Sequence, residues 1–165
     1  MSGKEVAPLQ RREFDDVVRV VAEAIGEPGQ RRFRLVVSTQ SDAALLWMEK
    51  QQLQALGVAF EQILAQLEGA GVVANLLPIT GEEPDQPLIL GPNEYQVGRL
   101  AVGFDEERNV ITILAHEITA EEEEAPSFVC HITPAQSGAL AMQIRRAVTS
   151  GARQHSNGHM RGPTS

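Results

Sequence analysis

The stretch that decides the fold is Ala43–Gly69, AALLWMEKQQLQALGVAFEQILAQLEG, because its period changes part-way along. AALLWM is an apolar run about as long as one buried strand. From Glu49 onward the apolar residues take helical spacing, and Leu53, Leu56, Phe60, Ile63, Leu64 and Leu67 form one stripe. Gly69 and Gly71 stand where that helix should stop. Gly57 falls inside it, where a close backbone contact would explain the lost helix propensity. Trp47 and Met48 mark the junction and are assigned to core packing. A strand feeding straight into a one-sided helix needs a sheet to pack against.

Upstream, RRFRLVVST (Arg31–Thr39) reads as a strand with Phe33, Leu35 and Val37 on one face. VVRVVAEAIG (Val17–Gly26) reads two ways. Val17, Val18, Val21 and Ile25 follow helical spacing, with Asp15 or Asp16 as cap. Its β-branched valines and the Glu27-Pro28-Gly29-Gln30 turn favour a hairpin, which is the reading adopted. Residues 1–16 are expected to be a flexible N-terminus. Downstream, residues 72–93 form a Pro-punctuated loop, with Leu88, Ile89 and Leu90 expected to pack over the sheet. YQVGRLAVGF and NVITILAHEI then read as paired strands around a DEER turn. Glu121–Glu124 reads as a solvated turn, because adjacent exposed glutamates converge poorly on a cation. SFVCHI is a further strand. TPAQSGALAMQIRRAVTSG is a helix with Thr133 as N-cap, Pro134 at its first position and Gly151 as its stop. Residues 152–165 are expected to be a flexible tail.

Each half thus reads hairpin, short strand, helix. Offset by 84 positions, Met48 meets Ile132, Glu49 meets Thr133, Gln52 meets Gln136, Leu56 meets Leu140, Phe60 meets Ile144 and Leu64 meets Val148. The expectation is one α+β domain over 17–151, a duplicated β-β-β-α unit with halves at about 17–70 and 94–151. It would have about six mostly antiparallel strands and two main helices on one sheet face.

Composition narrows the function classes. The 165 residues carry a formal charge of −8, against a general affinity for nucleic acid or an acidic membrane surface. No apolar run approaches a membrane span, and the first residues lack the apolar middle of a signal peptide. One cysteine excludes an internal disulfide framework and fits a reducing compartment, so a cytoplasmic protein is expected. Aromatics are only 4%, so the core must be mainly aliphatic.

Candidate chemistry is sparse. His155 and His159, four residues apart in GARQHSNGHMRGPTS, would share a helix face and bind zinc weakly, but Asn157-Gly158 and Gly162-Pro163 oppose a helix. Cys130 and His131 resemble a nucleophile and base, yet neighbours on a strand point to opposite faces. Cys130 is therefore assigned to the core and His131 outward. His116 is assigned to packing or an edge. Gln52 and Gln136 are assigned to capping their helices rather than reading a ligand. Gly98 and Gly103 are assigned to bulges or close packing. No phosphate loop, dinucleotide fingerprint or serine elbow is present, and no cofactor is expected.

IGEPGQRRFRL (Ile25–Leu35), MEKQQLQAL (Met48–Leu56), NEYQVGRLAVGFD (Asn93–Asp105) and ITPAQSGALAMQIRRAV (Ile132–Val148) together resemble a bacterial family known as domain of unknown function 3090. The resemblance runs from about Ile25 to Gly151. It implies the N-terminal hairpin but no activity. Members of that family typically end in a cysteine-rich tail suited to zinc; this chain has no cysteine after Gly151, so no metal site carries over. The expectation is a non-catalytic binding or accessory protein with an unknown protein partner, contacted through a sheet edge or the helix-free sheet face. One alternative is an enzyme whose site joins His116, His131 or the Glu121–Glu124 loop across the repeats. The other is a weak metal-binding protein.

Overall fold

The computed structural model describes residues 12–27, 29–68, 77–80 and 90–161, with side chains over 12–27, 29–67 and 90–149. The fold is α+β, a mixed, mainly antiparallel sheet with two helices on one face. The strands are β1 (Arg12–Phe14), β2 (Arg19–Ile25), β3 (Arg32–Ser38), β4 (Ala43–Met48), β5 (Leu77–Thr80), β6 (Glu94–Asp105), β7 (Val110–Glu117) and β8 (Phe128–Ile132). The helices are α1 (Lys50–Glu68), after β4, and α2 (Pro134–Arg161), after β8.

The sheet runs β1-β8-β7-β6-β4-β3-β2, with β5 added to β6. The β1–β8 and β4–β6 pairs are parallel and the rest antiparallel. β1 and β2 therefore lie at opposite ends of a seven-strand path although only Asp15–Val18 joins them. Laid flat, those ends would be about 29 Å apart at the usual strand spacing. The link from Phe14 to Arg19 spans at most about 17 Å. The sheet must curl, and its inner face takes the core.

Alternation decides which side chains go inside. Leu35, Val37, Leu46, Val102, Ile111, Ile113 and Phe128 are buried from the strands, and Leu53, Leu56, Phe60, Ile63, Leu140 and Ile144 meet them from the helices. Phe14 and Tyr95 both contact the Phe128 ring, at 5.0 and 5.6 Å between centroids. Gly57 lets α1 approach α2: a Cβ there would lie 3.1 Å from Ile144 Cγ2. At Gly98 a Cβ would meet the Ile118 backbone at 2.8 Å, and the β6–β7 register slips between Val97 and Arg99, the bulge expected of an isolated strand glycine.

The helix starts are built alike. Gln52 Oε1 accepts the Glu49 amide at 2.9 Å, and Gln136 Oε1 accepts the Thr133 amide at 2.8 Å. The same side chains reach the next layer: Gln52 Nε2 donates to the carbonyls of Val97 (3.4 Å) and Gly98 (3.2 Å), and Gln136 Nε2 to that of Val17 (2.9 Å). Thr133 Oγ1 accepts the Gln136 amide, completing a capping box.

Four expectations change. Eight strands, not six, occur among the described residues. β1 falls in the segment expected to be flexible: three residues show no periodicity, but β8 supplies hydrogen bonds and Phe14 is buried. β5 falls in the expected loop; Pro78 is tolerated there because β5 pairs on one side only among the described residues. α2 continues past Gly151 to Arg161, because a helix nucleated by packing continues through a glycine at a cost of only about 1 kcal/mol. Among the described residues no helix is long and apolar enough to cross a membrane. Leu88 and Ile89 lie outside the described residues.

Candidate metal centre

The polar constellation lies on the outer sheet face, across β1, β7 and β8. Thr112 pairs directly with His131, and their inward neighbours Ile113 and Cys130 pair in the core. Glu13 pairs with Val129, so it shares the outer face with His131 while Phe14 turns inward. Asp15, two residues beyond Glu13, returns to that face. Sequence spacing and strand register thus bring together groups 118 positions apart.

His131 Nε2 lies 2.7 Å from Glu13 Oε2 and 3.5 Å from Asp15 Oδ1. Its Nδ1 lies 2.9 Å from Thr112 Oγ1. The imidazole is 7% exposed, whereas the Glu13 and Asp15 side chains are 42% and 56% exposed. A buried nitrogen is thus presented to water through two carboxylates. Arg108, on the β6–β7 turn, donates to Asp15 at 3.0 Å. That turn is shaped by Asp105 Oδ1, which accepts the Glu107 and Arg108 amides, and by Asn109 at φ 57°.

Glu13, Asp15 and His131 each offer one ligand atom, and these atoms lie within 4.8 Å of one another. One imidazole and two carboxylates suit a divalent transition metal, with water completing the shell. The hydroxyl on Nδ1 is the outer-shell contact that orients a ligating histidine. For a metal to be held here, Glu13 would have to move off its 2.7 Å contact with His131 Nε2 so that both could face the ion.

The opposite parallel junction offers a comparison. Leu45 pairs with Glu94 there as Val129 pairs with Glu13. Trp47 Nε1 donates to Glu94 Oε1 at 3.0 Å, and the Arg34 guanidinium stacks 5.0 Å from the Trp47 ring while pairing with Glu23. Trp47 is thus on the outer face, not in the core, while Met48 is buried. Both junctions join a ring nitrogen to a glutamate across parallel strands. An indole has no second nitrogen and cannot take a metal through that N–H; His131 can.

The other candidates lie elsewhere. Cys130 is buried in the core, its thiol pushed up to about 12 by desolvation, so it is no nucleophile at neutral pH. His131 points to the opposite face as expected, but Thr112, Glu13 and Asp15 cover it. His116 is four residues along β7 from Thr112, about 13 Å away by strand rise. Its Nε2 meets the Glu124 carbonyl at 3.1 Å. The Glu121–Glu124 run is an exposed turn: Glu124 Oε1 accepts the Glu121 amide, and Arg99 donates to the carbonyls of Glu121 and Glu122. His116 and this loop therefore touch through main chain, and His131 belongs to a separate cluster. The α2 backbone spans His155 and His159, whose side chains lie outside the described ones.

Sequence reading missed Glu13 and Asp15. The available signal was Glu-x-Asp around an apolar Phe14, the alternation of a short strand.

A family model described as a protein of unknown function (DUF3090) matches residues 12–157. The chain belongs to this family. The matched range of this chain includes β1 and the positions of Glu13, Asp15, Thr112 and His131. No curated protein and no solved structure gives a significant match.

Proposed function

We propose that this family member is a non-catalytic binding protein whose ligand at the β1–β8 junction is a divalent transition-metal ion. The observation that carries this reading is the convergence of one ligand atom each from His131, Glu13 and Asp15 within 4.8 Å of one another. Thr112 and Arg108 orient the ligands, and two carboxylates against one guanidinium favour a cation. The test is calorimetric titration with Zn2+ and visible absorption with Co2+. The parent chain and a His155→Ala/His159→Ala variant should bind alike, with one ion at the junction. His131→Ala should abolish that binding, and Thr112→Val should weaken it about 10–100-fold. Unchanged affinity in His131→Ala would sink the proposal.

A second reading is favoured by one observation: Thr112 hydroxyl, His131 imidazole and Glu13 carboxylate stand in the order of nucleophile, base and orienting acid. Hydrolysis of p-nitrophenyl esters that Thr112→Val abolishes in metal-free buffer would support it; equal rates would dismiss it.

We also infer that the chain is a duplicated β-β-β-α unit. Supporting this are the matched helix caps and the matched parallel registers at Leu45–Glu94 and Val129–Glu13. A cytoplasmic location is the accompanying proposal, supported by the single, buried cysteine.

A further inference from the structure

β1 is a three-residue strand at one end of the sheet path, paired with β8 on one edge; among the described residues no strand lies on its other edge. Its two faces are fastened differently. On the inner face Phe14 is buried, meets the Phe128 ring edge-on at 5.0 Å and lies across from buried Cys130, so the two side chains sit side by side. Arg12, on the same face by alternation, reaches past β8 and β7 to Asn93 Oδ1 at 2.7 Å and Asp42 Oδ1 at 3.1 Å, just ahead of β6 and β4. On the outer face the fastening is ionic. Glu13 Oε2 lies 2.7 Å from His131 Nε2, and Asp15 accepts from Arg108 at 3.0 Å. The Asp15–Arg108 pair is about half-exposed on both sides, so water screens it and it holds little.

The candidate metal centre is divided along the same line. Two of its ligands, Glu13 and Asp15, come from this segment. The third, His131, and its Thr112 partner come from β8 and β7, which pair through five consecutive residues. An ion held by all three therefore ties the segment to the body of the sheet. With β1 lifted off β8, His131 is the one ligand of the three left in place, and a single imidazole holds a divalent ion far more weakly than an imidazole with two carboxylates. Closure and ion binding are thus linked: the closed form has the site and the open form does not.

We propose that β1 is a strap that lifts from β8 while the rest of the sheet stays folded, and that a divalent transition-metal ion on Glu13, Asp15 and His131 shuts it. The proposal rests on the metal-centre reading and adds what the ion controls. Three residues of pairing and one buried ring are a small unit to detach, which makes the opening local. Lifting the strap takes Phe14 out of the core and bares the edge of β8 from Phe128 to Cys130. A ligand that binds only the closed form lowers the open population by a factor of one plus the ratio of its concentration to Kd, about 100-fold at 100 times Kd. The ion thus sets how often that edge is uncovered.

Cys130 is the single cysteine of the chain and reports the strap directly. The full-length chain is alkylated with N-ethylmaleimide under native conditions, with and without Zn2+, and followed by mass spectrometry; Zn2+ affinity is measured separately by calorimetry. The metal-free chain should label at a rate that hardly changes in low urea, the mark of a local opening. Zn2+ at 100 times its Kd should slow that labelling about 100-fold. Hydrogen exchange gives a second readout that does not need the thiol. Without metal, the amides of β1 and those of β8 that face it should exchange faster than those of β3, and Zn2+ should slow them. Zn2+ that binds at the junction but leaves both rates unchanged overturns the strap and spares the metal centre. Labelling and exchange as slow as in β3 and steep in urea also overturn it, because β1 would then leave only on global unfolding. Absence of Zn2+ binding, seen by calorimetry alone, removes the metal centre and the proposal with it.

Discussion

His116 and Glu117 are neighbours on β7 whose charged forms oppose the folded state in different pH ranges. Burial, then the nearby Arg99 guanidinium, lowers His116 below 6.5 despite its bond to the Glu124 carbonyl. The unfolded chain therefore binds more protons just below pH 6.5, and this residue's contribution to stability falls as the pH drops toward the lowered native value. Burial raises Glu117 above 4.5, so the folded chain holds its proton longer, and stability falls as the pH rises from 4.5 to the raised native value. Urea midpoints from about pH 4 to pH 8 should show each slope. His116→Gln should flatten the first. Glu117→Gln should flatten the second and raise the midpoint at neutral pH. Slopes identical to the parent in both variants would contradict the assignment. At this scale the sequence was informative about orientation: alternation alone separated Cys130 from His131. It could not show that Glu13 and Asp15 complete the His131 cluster, because their strand exists only through pairing with β8.

At the scale of elements, the two glutamines join helix to sheet. Gln52 is buried and serves both the Glu49 amide and two carbonyls at the β6 bulge. Gln52→Ala should cost roughly 1–3 kcal/mol, because buried main-chain groups lose their partners. Gln136→Ala should cost less, about 1 kcal/mol, since Gln136 is only half-buried and Thr133 Oγ1 still caps the Gln136 amide. Chemical denaturation of both variants measures the difference, and parent-like midpoints in both would remove the caps from the account. The capping role was legible from the shared offset of Gln52 and Gln136. Their second contacts were not, because they depend on where β2 and β6 bend. Likewise the stop at Gly151 followed from local propensity, whereas α2 runs on because packing of Leu140, Ile144 and Val148 has already met the cost of nucleation.

Across the whole molecule the halves depend on each other. β4 pairs with β6, β8 with β1, and α1 packs on α2. A fragment of residues 1–70 should therefore show no cooperative unfolding by itself, and should regain it when mixed with residues 71–165. Cooperative melting of either fragment alone would show independent domains. The sequence by itself determined the order of the long strands and helices from Arg31 onward and the inward face of each, because these follow from periods of 2 and 3.6, while Val17–Gly26 read two ways and turn chemistry favoured the hairpin. Tertiary structure decided the curled strand order, the short strands β1 and β5, and the meeting of Glu13, Asp15, Thr112 and His131. Three- and four-residue strands have too little local pattern to be read from sequence; they form because a neighbouring edge supplies their hydrogen bonds, and that edge arrives from the far end of the chain.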